Sequence, residues 1–144
     1  MSDDGILFSW PARVYYQHTD AGGVVFHADY LNFMEAARAE MLRAMGFDVG
    51  ELARRDGIVF VVHRLEVAYH KPARLGDSVA ITVKCLKIGG ARLVLEQMVK
   101  RAEQTLVSAQ VTLACVHAHE QRPVPIPKVI KDAFERGKPI GTGT

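Results

Sequence analysis

The chain holds only two cysteines, Cys85 and Cys115, among its 144 residues. A disulfide framework needs more cysteines in a shorter secreted chain, so that class is excluded. Both thiols fall at inward-looking strand positions and are expected to be small and buried. Charge of one sign is also lacking, with 18 Lys+Arg against 16 Asp+Glu and a net charge of +2. That balance gives no basic footprint for nucleic acid, though a few basic residues can still meet a small polyphosphate. No apolar run approaches the roughly 20 residues of a membrane span. The opening residues, Met1-Ser2-Asp3-Asp4-Gly5, are acidic and polar and lack the pattern of a signal peptide. A cytoplasmic location is expected.

Repeats, low-complexity tracts and linkers are absent, and Arg122-Pro123-Val124-Pro125-Ile126-Pro127 is the one break in composition. Residues 1–144 therefore read as one domain, with a core over about 8–127 and a short helix over about 128–136. The apolar share of 49% is ordinary for a globular protein. A domain near this size removes roughly 70% of its unfolded surface from water.

Phe8 to Gln17 reads as a first strand, with Phe8, Trp10, Val14 and Tyr16 alternating against polar residues. Gly22-Gly23 marks a loop. Ala28 to Met45 is the clearest helix, because Tyr30, Met34, Ala37, Met41 and Met45 recur at helical spacing. Leu31, Phe33, Ala36, Leu42 and Ala44 widen that stripe, and a shorter helix is expected over Val49–Arg55. Four strands follow, over Ile58–Tyr69, Ser78–Ile88, Ala91–Ala102 and Thr105–His117, joined by short turns. Short joints imply antiparallel pairing. One long helix on a five-stranded antiparallel sheet is an α+β fold in two layers. A single helix leaves sheet surface and strand edges uncovered, and a dimer with a continuous sheet would address both.

The stretch from Tyr15 to Tyr30 carries the chemistry. It sets a carboxylate, a glycine pair and a histidine at the mouth of an apolar helix. Free amides at a helix start can receive an oxyanion, and the helix dipole favours a negative group there. A carboxylate beside such a site can attack a carbonyl or activate water. The plainer alternatives are that Asp20 or Asp29 only caps the helix, that the glycines only make a turn, and that His27 is structural.

Val14-Tyr15-Tyr16, Thr19-Asp20-Ala21-Gly22-Gly23-Val24-Val25 and His27-Ala28 resemble the opening motif of hotdog-fold acyl-CoA thioesterases. The match is closest to the Tol-Pal-associated branch, related to 4-hydroxybenzoyl-CoA thioesterase. Phe60-Val61-Val62, Leu65-Glu66-Val67, Tyr69 and Lys71-Pro72-Ala73-Arg74-Leu75-Gly76-Asp77 resemble its second block. The likeness spans about Pro11 to Pro127. It implies a sheet wrapped around a central helix and hydrolysis of an acyl-CoA without metal or organic cofactor. It also implies Asp20 as nucleophile or general base, assisted by Tyr16 and His27. Gly23 would lie against the substrate. Val61, Val62 and His63 would line a partner's acyl pocket, and Lys87 and Arg92 would meet CoA phosphates. A homodimer, commonly paired into a homotetramer, is implied as well. Gln17-His18, Phe26 and His63 depart from the pattern and bear on substrate preference.

Acyl carrier protein is an alternative carrier of the acyl group. The rival readings are a hotdog hydratase or dehydratase, and a module that only binds acyl-CoA or acyl carrier protein. His117-Ala118-His119-Glu120 lacks an evident third metal ligand. Glu35 and Arg38 stand three apart and are expected to form a helical ion pair.

Overall fold

A computed structural model describes residues 5–136. The strands are β1 (Ile6–Arg13), β2 (Ile58–Tyr69), β3 (Ser78–Ile88), β4 (Arg92–Arg101) and β5 (Gln104–His117). The helices are α1 (His27–Ala44), α2 (Val49–Glu51) and α3 (Lys128–Glu135). A π-type turn, Leu52–Asp56, continues α2 and ends at Gly57 in the left-handed region, at φ 69°. The expected order of a strand, a long helix and four further strands is what forms.

The strands make one five-stranded sheet in the order β1-β3-β4-β5-β2. Every neighbouring pair is antiparallel. Register then sorts the side chains by face, since directly paired residues point the same way. Phe8 pairs with Val83, Val83 with Gln97, and Gln97 with Ala109. All four are buried, Gln97 at 0% exposure. The Gln97 amide donates to the Met34 carbonyl at 3.1 Å, so this face lies under α1. From α1 the sheet receives Tyr30, Phe33, Met34, Ala37, Met41 and Leu42. Truncating such a core side chain to alanine costs about 2–5 kcal/mol. α3 closes the same core with Ile130 and Phe134.

Four details differ from the sequence reading. β1 stops at Arg13, and Tyr16 to His18 form a 3-10 turn, so Tyr16 leaves the strand and is 81% exposed. Ala36 and Ala44 face solvent instead of widening the apolar stripe. Cys115 is fully buried but Cys85 only half so, beside a bulge between Cys85 and Lys87. Glu35 and Arg38 make no ion pair, because Arg38 Nη1 turns to Gln97 Oε1 at 2.9 Å. The residues from Gly137 onward, read from sequence as a frayed tail, lie outside the described residues.

Candidate active site

The loop before α1 is a small hairpin. The Asp20 amide donates to the Val24 carbonyl at 2.9 Å, and the Phe26 amide to the His18 carbonyl at 2.9 Å. Thr19 and Val25 form an isolated bridge between these bonds. The two glycines have separate tasks. Asp20 Oδ1 accepts the Gly22 amide at 2.8 Å. A Cβ on Gly22 would meet that same oxygen at 3.3 Å, tighter than most real contacts. Gly23 takes φ +80°, where a side chain is strained.

The second motif block is a strap on this hairpin. The Val25 amide donates to the Ala73 carbonyl at 2.9 Å, and the Leu75 amide to the Gly23 carbonyl at 3.3 Å. The Ala73 amide donates to the Tyr30 hydroxyl at 2.8 Å, which ties the strap to α1. Burial pushes the Tyr30 phenol above its usual range and keeps it protonated. Asp77 steadies the far end of the strap. It accepts the Arg74 amide at 2.9 Å and the Arg101 guanidinium at 2.6 Å.

Asp20 is not a cap of α1. The N-cap is Phe26, which supplies no side-chain bond, and the carboxylate is spent locally on Gly22. Asp29 sits inside the first turn, where its Oδ1 accepts the Asn32 amide at 3.3 Å. The amides of His27 and Ala28 therefore open the helix without an intrahelical acceptor. His27 is exposed and its ring lies 4.4 Å from that of Phe26. The Tyr69 hydroxyl donates to the His27 carbonyl at 3.3 Å. A cleft of ≈ 270 Å³ opens here, lined by Val25, His27, Tyr30, Tyr69, His70 and Lys71, with Pro72.

Tyr16, Asp20, Gly23 and His27 thus share one stitched loop system. Among the described residues, no hydrogen bond joins the side chains of Tyr16, Asp20 and His27. His18, outside the expected trio, anchors the loop: its Nδ1 accepts the Tyr15 amide at 2.9 Å and its ring packs 4.8 Å from Phe33.

The other site residues lie elsewhere. Val61 and Val62 are exposed and line a larger chamber of ≈ 500 Å³ between β2, α1 and α2. His63 is the extra residue of a bulge between Val62 and Arg64 and lies outside that lining. Lys87 and Arg92 flank the β3–β4 turn, where the Gly89 amide donates to the Arg92 carbonyl at 2.8 Å. This turn sits beside Cys115, whose amide donates to the Ala91 carbonyl. The hairpin, by contrast, abuts the Tyr69 end of β2. At about 3.3 Å per residue the two groups stand on the order of 20–30 Å apart in one chain. Sequence reasoning had assigned no role to Tyr69, His70 or Lys71. Their place just before a strap-forming proline, Pro72, was the available signal.

A family model described as the thioesterase superfamily matches residues 22–108. The chain belongs to this superfamily. Among its relatives is the acyl-CoA thioesterase YbgC of Haemophilus influenzae, 41% identical over 138 residues, covering 96% of this chain and 100% of the relative. The acyl-CoA thioester hydrolase YbgC of Escherichia coli is 43% identical over 131 residues, covering 90% and 97%. A probable thioesterase from Bartonella henselae superposes with a TM-score of 0.79 at 37% identity, covering 83% of this chain and 98% of that one. The thioesterase-superfamily hotdog fold expected from the sequence is therefore the fold observed.

Proposed function

We propose that the chain hydrolyses an acyl-CoA to a free acid and CoA. The single observation that carries this reading is near full-length similarity to the acyl-CoA thioesterases of two bacteria. In the proposed reaction Asp20 either orients a water that adds to the thioester carbonyl, or attacks it itself to give an acyl anhydride that water then opens. In both the C–S bond breaks and CoA leaves as the thiol. Its exposure leaves it open to substrate. The His27 and Ala28 amides hold the developing oxyanion. Tyr16 and His27 position the reacting groups and assist proton transfer, and Gly23 lets the substrate approach the backbone.

The site is completed by a second copy. β2 is an edge strand and leaves Val61, Val62, Leu65 and Tyr69 exposed along its length. An edge of that kind invites pairing. Antiparallel pairing of two β2 strands about their midpoints sets the Tyr69 end of one copy beside the Ile58 end of the other. That brings the hairpin of one copy to the Val61, Val62 and His63 segment of its mate. Lys87 and Arg92 then stand at the same end, available to CoA phosphates. Such dimers pair further into a tetramer. The reducing cytoplasm suits two free thiols and is the proposed compartment.

The test is thiol release from acyl-CoA and acyl-carrier-protein thioesters, with 2-enoyl esters alongside. Hydration of the enoyl group, or binding without thiol release above background, would overturn hydrolysis.

A further inference from the structure

The peptide unit joining His27 to Ala28 is engaged at both ends. Its N–H, on Ala28, is one of the two amides at the mouth of α1 assigned to the oxyanion. Its C=O, on His27, accepts the Tyr69 hydroxyl at 3.3 Å. A carbonyl has two lone pairs, so the phenol leaves one for the helix. The partial double bond of a peptide couples its two ends. A donor that draws electrons to the oxygen therefore makes the N–H a stronger donor in turn. The neighbouring unit, whose N–H belongs to His27, is polarised likewise, because the Phe26 carbonyl accepts the Asp29 amide at 2.8 Å. The phenol itself is firmly placed. Tyr69 ends β2 opposite Val107. The next two amides, of His70 and Lys71, both donate to the Leu106 carbonyl, at 2.8 and 3.0 Å. The Tyr69 ring packs 5.7 Å from that of Tyr30 and meets that of His27 edge-on at 6.5 Å.

We propose that Tyr69 is a positioning residue for the hydrolysis, acting through the Ala28 amide. The relay runs from the phenol O–H to the His27 carbonyl, and from the Ala28 N–H to the thioester oxygen. As negative charge gathers on that oxygen, each bond in the relay strengthens the next. The gain is largest when the charge is largest, so the relay favours the transition state over the bound ester. A bond of 3.3 Å at rest suits this role, since catalytic hydrogen bonds are often long before substrate arrives and tighten as the reaction proceeds. A whole oxyanion donor is worth about a hundred- to a thousandfold in turnover. One hydrogen bond polarises the next by roughly 10–30%. Losing the phenol should therefore slow turnover by about twofold to eightfold. This assignment rests on the hydrolase reading and on the Ala28 amide facing the oxyanion.

The experiment is Tyr69→Phe, which keeps the ring and the β2 edge and removes only the hydroxyl. Thiol release is followed on whichever of hexanoyl-, dodecanoyl- and benzoyl-CoA the native protein turns over fastest. The expected result is a fall in kcat of about twofold to eightfold with KM held within about twofold. Melting temperature and sedimentation should not change. The second readout is the infrared stretch of the same ester, labelled with carbon-13 at its thioester carbonyl and bound to the slowed Asp20→Asn protein. Adding Tyr69→Phe should move that band to higher frequency, because a weaker Ala28 donor polarises the carbonyl less. A purely structural phenol would lower the melting temperature and leave the band in place, and a phenol that touches the substrate directly would raise KM. Either result overturns the relay, as does an unchanged kcat. Thiol release by the native protein with Tyr69→Phe indistinguishable from it rejects the relay and leaves the hydrolase reading standing. No thiol release from any of the three esters by the native protein would reject the hydrolase reading, and the relay with it.

Discussion

Two charged side chains flank α1, and they are held in opposite ways. Asp20 is exposed, and its one side-chain bond goes to an amide two residues away. Arg38 is half-buried and bonds to Gln97, 59 residues away on β4. The first is set by loop geometry that a short motif can encode. The second depends on strand register and on what covers the helix. An exposed group with local anchors can change chemically with little effect on the fold, whereas changing one that is half-buried against a buried partner leaves that partner unsatisfied.

The sharpest way to break this comparison is Asp20→Asn. Asparagine keeps an oxygen for the Gly22 amide, so thermal stability and oligomeric state should be unchanged. Turnover should fall by at least about a hundredfold, the scale of a lost general base. Near-native thiol release would remove Asp20 from the mechanism. The next effect concerns the β2 edge. Val62→Lys puts a charge on the proposed seam and should shift the protein toward monomer in sedimentation, with thiol release falling in step. A fully active monomer would contradict the shared site.

The buried side of the comparison is tested by Gln97→Leu. The change removes the acceptor of the half-buried Arg38 guanidinium and a second donor to the Met34 carbonyl, for a loss of about 2–3 kcal/mol in denaturant unfolding. An unchanged midpoint would show that the Arg38 anchor carries no weight. The smallest effect belongs to Asp77. Burial works against its charge, but the Arg74 amide and the Arg101 guanidinium outweigh it and hold the carboxyl below its ordinary value. A depressed pKa stabilises the fold above the unfolded value, near 3.8, and that stability is lost as pH falls through the folded value. Asp77→Asn should therefore cost under about 1 kcal/mol at neutral pH. In acid the variant and the native protein should converge, as pH-dependent melting would show.

Much of the fold was legible because its patterns are local. β2 and β3 were read with their observed bounds, and the α1 stripe named Tyr30, Met34, Ala37 and Met41 as core. The errors fell where tertiary contacts override local pattern. Tyr16 alternates like a strand residue, yet the His18 bond to the Tyr15 amide turns the chain out of the sheet. Glu35 and Arg38 have ion-pair spacing, yet Gln97 offers the guanidinium a fixed acceptor beneath the helix. In the site, the Asp20 loop was visible because its glycines and carboxylate are contiguous. The strap was visible only as a motif, without its purpose.

By itself the sequence determined the element order, the apolar stripe of α1 and the hairpin that presents Asp20, since each rests on contacts within a few residues or on simple periodicity. Only the tertiary structure decided which strand forms the open edge, where the chamber lies and what Arg38 bonds. Those depend on pairings between residues tens of positions apart, and no local pattern carries their register.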